Sequence, residues 1–317
     1  MEHPVWPNLA AIHAARERIK DYIHKTPILT SSAIDEMAGC QLFFKCENFQ
    51  KVGAFKARGA ANAVLKLNSE QKKNGVATHS SGNHAAALAR AAAQAGIPAY
   101  IVMPSNAPLI KKAAVKSYGG KIIECEPNLS ARESTLAEVV EQTQATFIHP
   151  YHHLDVIEGQ ATCALEIFSE QPDLHALITP VGGGGLLSGT ALTSHYLSPG
   201  TKVYAGEPLG ADDAFRSIQS GKLQPVGIPH TIADGLLTSL GEINFEIIKQ
   251  HVEDIYTVSE EEIISAMRLV YERMKIVIEA SSAVPLAAVL AQKQVFKNKK
   301  VGLILSGGNV DLSQLPF

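Results

Sequence analysis

Ala176-Leu177-Ile178-Thr179-Pro180-Val181-Gly182-Gly183-Gly184-Gly185-Leu186-Leu187-Ser188-Gly189 is the stretch that decides how this chain is read. Its first part, Ala176–Pro180, has the length and apolar content of a buried strand, and Gly184–Tyr196 has the spacing of a helix. Four successive glycines stand at the junction. Glycine loses more backbone entropy on folding than any other residue, so such a run suggests a loop that wraps its N–H groups around a ligand, and a phosphate suits that cradle. The order of the glycines fits neither G-x-G-x-x-G nor G-x-x-x-x-G-K-[ST], which argues against a dinucleotide or a P-loop nucleotide. A flexible turn without a ligand is the alternative.

The same alternation repeats outward from this junction. Gln41–Lys45, Val76–His79, Ala99–Met103, Lys121–Glu124, Lys202–Gly206 and Lys300–Leu305 read as further strands. Lys56–Leu67, Asn83–Ala95, Leu109–Tyr118, Ser130–Thr143, Val156–Ser169, Glu260–Met274 and Ser281–Gln292 read as helices. Strands that alternate with helices imply an α/β chain with open parallel sheets and right-handed crossovers. A length of 317 residues is too great for one compact layer stack, so two lobes are expected. The βαβαβα run suggests a small inserted domain over 75–150, with 1–74 and 151–317 forming the large one. The chain ends soon after its last strand, which leaves no span for an appended regulatory domain.

A net charge of -3 provides no broad basic field for nucleic acid and no polybasic tract for a membrane surface. Met1–Trp6 lacks the basic and apolar regions of a leader, so a cytoplasmic enzyme with a small-molecule partner is expected. Cys40, Cys46, Cys125 and Cys163 form no C-x-x-C pair and read as reduced core thiols.

Three more segments carry chemistry. In Gly53-Ala54-Phe55-Lys56-Ala57-Arg58-Gly59 a lysine with apolar neighbours opens a helix. Desolvation there lowers the pKa of an amine and makes it both a nucleophile toward an aldehyde and a base near neutral pH, although an ordinary surface lysine is the alternative. Thr78-His79-Ser80-Ser81-Gly82-Asn83-His84 follows a strand and leads into a helix, where N–H groups and hydroxyls suit a carboxylate as well as a simple N-cap. Leu305-Ser306-Gly307-Gly308-Asn309 ends the last strand, at the sheet edge where ligands bind or where the strand merely turns.

In this order, F-K-x-R-G, S-S-G-N-H, G-G-G-G and S-G-G-N resemble the fold-type II enzymes that use pyridoxal 5′-phosphate (PLP), and within them the serine racemases and serine/threonine dehydratases. The resemblance spans about Thr26 to Leu312 and includes Phe43-Phe44-Lys45-Cys46-Glu47, Ile157-Glu158-Gly159-Gln160 and Thr231-Ile232-Ala233-Asp234-Gly235. It implies a two-lobed, tryptophan-synthase-β-like fold and a homodimer. It also implies that Lys56 carries PLP as a Schiff base and removes the α-proton, while Gly182, Gly183, Gly184, Gly185 and Leu186 cradle the phosphate. Asn83 would bond the phenolic oxygen and Ser306 would face the ring nitrogen, with Gly235 and Glu279 also at the cofactor. Ser81 would relay a proton on the opposite face of the α-carbon. Ser80, Ser81, Asn83 and His84 would hold the substrate carboxylate, and Arg132 and Thr238 its side chain. Glu207, Ala211 and Asp213 resemble a magnesium or calcium site, an acidic helix start being the plainer reading. Ser31, Ser32, Lys51, Tyr118 and Lys275 match a nucleotide effector site.

This chain departs from the pattern in places. Ala54 stands where relatives commonly have serine, and Glu279-Ala280-Ser281-Ser282-Ala283 stands where they have threonine or serine followed by glycine. Val52 replaces a threonine of the nucleotide contact, which removes a hydroxyl and argues against ATP activation. The activity implied is elimination of water from L-serine, L-threonine or 3-hydroxyaspartate, with racemisation as a side or main reaction. A cysteine-synthase-like β-replacement enzyme is a second reading, and its usual T-S-G-N-T turn is absent. A non-catalytic amino-acid sensor is a third, and intact Lys56, Ser81 and Ser306 argue against it.

Overall fold

The computed structural model describes residues 6–317; the expected lack of a leader concerns Met1–Val5, which lie outside the described residues. The strands are β1 (Ile28–Leu29), β2 (Gln41–Cys46), β3 (Val76–His79), β4 (Ala99–Pro104), β5 (Lys121–Cys125), β6 (Thr146–Phe147), β7 (Ala176–Pro180), β8 (Lys202–Pro208), β9 (Asp254–Val258) and β10 (Lys300–Leu305). They sort into a six-stranded sheet of order β1-β2-β10-β7-β8-β9 and a four-stranded sheet of order β5-β4-β3-β6. Every pairing is parallel except that of β1 with β2. The α/β class with parallel sheets is therefore as expected.

The central strands explain themselves. All residues of β7 are buried, because helices cover both faces of a parallel sheet and leave no polar side for alternation. The helix Ala280–Ala291 is likewise buried through Val289 and packs against β7, β8, β9 and β10. Its apolar circumference fits a helix enclosed on all sides. β1 and β6, two residues each, are too short to carry a period, and β9 borders one neighbour only. Gly184, read as the start of its helix, instead caps it with φ +89°, a left-handed conformation that glycine adopts without a Cβ penalty.

Beneath the helix Lys56–Leu65 lies a buried charge network. Arg58 spans two carboxylates, with Nε and Nη2 on Glu47 at 2.7 and 2.8 Å and Nη1 and Nη2 on Glu166 at 2.8 and 2.9 Å. Lys45 Nζ adds 2.6 Å to Glu166 and 2.7 Å to the Thr26 carbonyl. These groups join β2, the helix Lys56–Leu65 and the helix Leu154–Glu170. The two helices meet at Gly59 and Gly159, where a Cβ on Gly159 would lie 2.6 Å from the Arg58 carbonyl oxygen. The four cysteines are buried and unpaired.

Because β2, β10, β7 and β8 run parallel, the chain leaves all four at the same edge of the sheet. The exits of the first three lead to Lys56, Ser306 and the four glycines, and Glu207 sits at the same end within β8. No described helix is long and apolar enough to cross a membrane.

Candidate active site

Lys56 is held in place before its helix begins. Val52 and Gly53 take left-handed φ of 55° and 69°, and the turn is stitched to the end of β10 by an Ala54–Gly307 bridge. Gly308 N–H donates to Gly53 O at 2.9 Å and Phe55 N–H to Ser306 O at 3.0 Å. A valine in that conformation is strained, and the surrounding bonds keep it there. The Lys56 amine donates to the Pro150 carbonyl at 3.0 Å and lies 5.0 Å from the Phe55 ring centroid. Burial pushes its pKa down to about 8, against the opposing pull of Glu279. The amine thus loses its proton far more readily than an ordinary lysine, in the direction the apolar neighbours had suggested.

The glycine loop reaches the same place through Tyr151, the residue after Pro150. A Cβ on Gly183 would run into the Tyr151 ring, and one on Gly185 would lie 3.2 Å from Tyr151 Cβ. Asn244 Nδ2 bridges the Gly183 and Tyr151 carbonyls at 2.6 and 3.2 Å. Among the described residues the N–H groups of Gly182, Gly183 and Gly184 find no acceptor. Those of Gly185 and Leu186 open the first turn of the helix Gly185–Leu197, where no intrahelical partner exists.

Around Lys56 the other expected residues converge. Asn83 Nδ2 donates to both oxygens of Glu279 at 3.0 and 3.1 Å, and Asn309 Nδ2 donates to Asn83 Oδ1 at 2.9 Å. Burial, with help from Asp234, pushes the Glu279 carboxyl up to about 7, while Asn83 pulls it down. Ser306 is buried with Oγ 3.1 Å from Ser282 Oγ, and Ser282 in turn bonds both the carbonyl and the N–H of Gly307. Gly235 N–H donates to Ser281 Oγ at 2.9 Å. Ser80 and Ser81 are half-buried at the start of the helix Asn83–Ala95.

His84 differs from its expected use. The residue is 2% exposed and its ring is turned to the Ile148 carbonyl at 3.2 Å from Nε2, with Nδ1 buried and unpartnered among the described residues. Burial, then the nearby Lys56, holds it well below its usual pKa, so the ring is neutral. Its backbone N–H, in the first helical turn, is what it can offer an anion. Burial raises the pKa of the Tyr151 phenol, while Thr238 and, more weakly, Arg132 lower it. Arg132 Nε is buried without a partner among the described residues.

Glu207 and Asp213 lie at the end of β8, both fully buried. Glu207 accepts from the N–H groups of Ala214 and Phe215 at 2.9 and 2.8 Å, and Asp213 Oδ2 from that of Leu240 at 2.7 Å. Asp213 Oδ1 is buried with no partner among the described residues. Burial raises the two carboxyls to about 8 and about 6. No group of three His, Cys, Asp or Glu side chains suited to a metal occurs among the described residues, and the expected set uses only two carboxylates with the Ala211 carbonyl. The nucleotide set divides: Val52 and Tyr118 share one apolar cluster with the helix Asn83–Ala95, whereas Ser32–Ala38 packs on Glu260–Met274, which Lys275 follows. Lys51 precedes Val52, and Ser31 caps the helix Ser32–Ala38.

The model of the family "Pyridoxal-phosphate dependent enzyme" matches residues 19–307. The chain belongs to this family. It is 51% identical to the β-hydroxyaspartate dehydratase of Paracoccus denitrificans, covering 98% of this chain and 99% of that one. It is also 51% identical to the serine racemase of Dictyostelium discoideum, covering 99% and 98%. The structure of maize serine racemase superposes with a TM-score of 0.96 at 44% identity over 98% of this chain and 96% of that one.

The residues present fit the family's cofactor. A buried amine of lowered pKa and a ring of unclaimed N–H groups with no room for side chains are what an aldehyde and a phosphate need. Sequence reasoning gave no role to His149, Pro150, Tyr151 or Asn244, and quoted Ser282 and Asn309 only within their motifs. Pro150-Tyr151-His152-His153-Leu154 carries only turn signals, and the bond from Lys56 to Pro150 crosses 94 positions.

Proposed function

We propose that this PLP enzyme eliminates water from a β-hydroxy-α-amino acid, giving a 2-oxo acid and ammonia, with racemisation at the α-carbon as a second outcome. The observation that carries the reading is the Lys56 amine, its pKa pushed down to about 8 by burial and its Nζ held by the Pro150 carbonyl, next to the Tyr151 that packs on the glycine loop. When bound, PLP supplies an aldehyde that links to an amine and a ring that draws electrons from the neighbouring carbon. Lys56 would hold it, the N–H groups of Gly182 to Leu186 would take its phosphate, and Asn83, Gly235, Glu279 and Ser306 would border its ring. A neutral serine beside the ring nitrogen moderates that electron withdrawal, which favours loss of a β-hydroxyl over transamination.

Lys56 Nζ serves as the base on one face of the α-carbon and Ser81 Oγ as the proton donor on the other. Ser80, Ser81 and the helix start at Asn83 and His84 receive the α-carboxylate. The Arg132 Nε, buried without a partner among the described residues and close enough to lower the Tyr151 pKa, favours a substrate with a second carboxylate, which puts 3-hydroxyaspartate before serine and threonine. The name of the Paracoccus relative agrees with that order, and that of the Dictyostelium relative keeps serine racemisation as the second reading.

Magnesium or calcium at Glu207, Asp213 and the Ala211 carbonyl is part of the same proposal, supported by the unpartnered Asp213 Oδ1. So are a cytoplasmic homodimer and an inserted unit over 75–150, the latter supported by β3–β6 all falling within it. A coupled assay of 2-oxo acid release and product chirality across serine, threonine and both 3-hydroxyaspartate diastereomers tests the reading. Preferred turnover of one hydroxyaspartate diastereomer is expected. Turnover of none of these substrates rejects it.

A further inference from the structure

The segment 148–152 joins parts of the site that are far apart in sequence. The Ile148 carbonyl meets His84 Nε2 at 3.2 Å, the Pro150 carbonyl accepts from Lys56 Nζ at 3.0 Å and the Tyr151 carbonyl from Asn244 Nδ2 at 3.2 Å. The same Asn244 amide holds the Gly183 carbonyl at 2.6 Å. Carbonyls at three nearby positions are therefore spoken for by His84 beside the anion turn, by the reactive amine and by the Asn244 amide that also holds the glycine loop.

One side chain pegs this segment. His149 Nδ1 accepts from the His152 N–H at 2.9 Å and from the Tyr151 N–H at 3.3 Å. Its ring is wedged between aromatic rings, edge-on to Tyr151 at 4.5 Å and to Phe147 at 5.5 Å between centroids. A nitrogen that accepts two N–H groups carries no proton, so the ring's own N–H is on Nε2. Protonated, Nδ1 would point a third N–H at two others. Burial first, then the charges of His79, His152, Lys56 and His153, push the pKa of His149 down to about 3. The acceptor is thus present at neutral pH.

We propose that His149 is a positioning residue: by accepting the Tyr151 and His152 N–H groups, its Nδ1 fixes the turn whose Pro150 carbonyl aims the Lys56 amine. The proposal rests on Lys56 being the cofactor lysine. Without that acceptor, two N–H donors inside the turn are unpaired, the turn relaxes, and the amine loses the partner that sets its direction.

Two substitutions separate the nitrogens. In His149→Asn the side-chain oxygen falls near the place of Nδ1, and in His149→Gln near that of Nε2. For each holoenzyme the measurements are the pH midpoint of the visible cofactor band, the rate of cofactor release, and the melting temperature as a control of folding. Wild-type midpoint and release are expected for Asn; for Gln, a shifted midpoint and release faster by roughly tenfold, the order of one lost hydrogen bond. His149→Phe keeps the ring packing and removes both nitrogens, so it is expected to follow Gln; if it follows wild type the proposal is overturned. Equal behaviour of Asn and Gln also overturns it, as does a fall in melting temperature with midpoint and release unchanged. Borohydride fixation of the cofactor on wild-type protein keeps the two readings apart. A label away from Lys56 sinks the assignment of the cofactor lysine, whereas a label on Lys56 with silent variants sinks the role of His149 alone.

Discussion

Asn83 and Glu279 face each other across the cleft, the amide donating to both carboxylate oxygens at 3.0 and 3.1 Å. Asn83 begins the helix that follows β3, in the four-stranded sheet, and Glu279 begins the helix that packs under the six-stranded one. The pair therefore ties the two sheets together at the cofactor cavity, joined on the rim by the Lys111–Asp234 ion pair. Glu279→Ala leaves the Asn83 amide unpaired and opens space beside Gly307 and Gly235. A lost buried hydrogen bond of about 1–3 kcal/mol corresponds to weaker cofactor binding by roughly tenfold or more, which equilibrium titration of PLP checks.

Lys56→Ala removes the link to the cofactor and the base together. Turnover falls by several orders of magnitude while the fold persists, since alanine is a good helix former at the start of the helix that Lys56 opens. Absorbance and single-turnover assays read the loss, and circular dichroism reads the fold.

Ser81→Ala leaves the glycine loop and Lys56 untouched, so the cofactor band is unchanged. Racemisation drops more than elimination, because only racemisation needs a proton delivered from the second face. Equal loss of both, measured by chiral chromatography alongside 2-oxo acid release, contradicts the two-face assignment.

Cation binding has a pH signature. Glu207 and Asp213 rise from ordinary values of 4.5 and 3.8 to about 8 and about 6, so the fold binds their protons more tightly than the unfolded chain does. Without a cation, stability is then full at low pH and falls as pH climbs from about 4 to about 8. A bound Mg2+ or Ca2+ replaces those protons. The added cation should raise the melting temperature more at about pH 8 than at about pH 5, and EDTA should reverse the gain. No response at either pH removes the site.

Glu166→Ala strips one carboxylate from a network holding two buried cations, Lys45 and Arg58. Breaking a buried pair costs about 3–5 kcal/mol. A urea melt of the variant shows that loss, and cofactor release accelerates because Arg58 is two residues from Lys56.

Much of the fold was legible in local patterns. Apolar runs such as Ala176–Pro180 and Lys300–Leu305, and the helices between, follow from periodicities that each segment carries alone. The lysine with apolar neighbours, the glycine run and the Ser-Gly turns were legible for the same reason: their chemistry is in the residues themselves. The edge strands Ile28–Leu29 and Thr146–Phe147 were not, because two residues contain no period, and pairing partners supply their order.

What the sequence alone determined is the set of parts: an amine ready for desolvation, a cradle of free N–H groups, and parallel strands that bring both to one edge. Only the tertiary structure decided how the parts address one another. Pro150 on Lys56, Tyr151 on Gly183, Asn83 on Glu279 and the inward turn of the His84 ring are contacts between segments far apart in the chain. Such contacts leave no local period or composition to read, since the energy that fixes them comes from burial and pairing that exist only once the chain has packed.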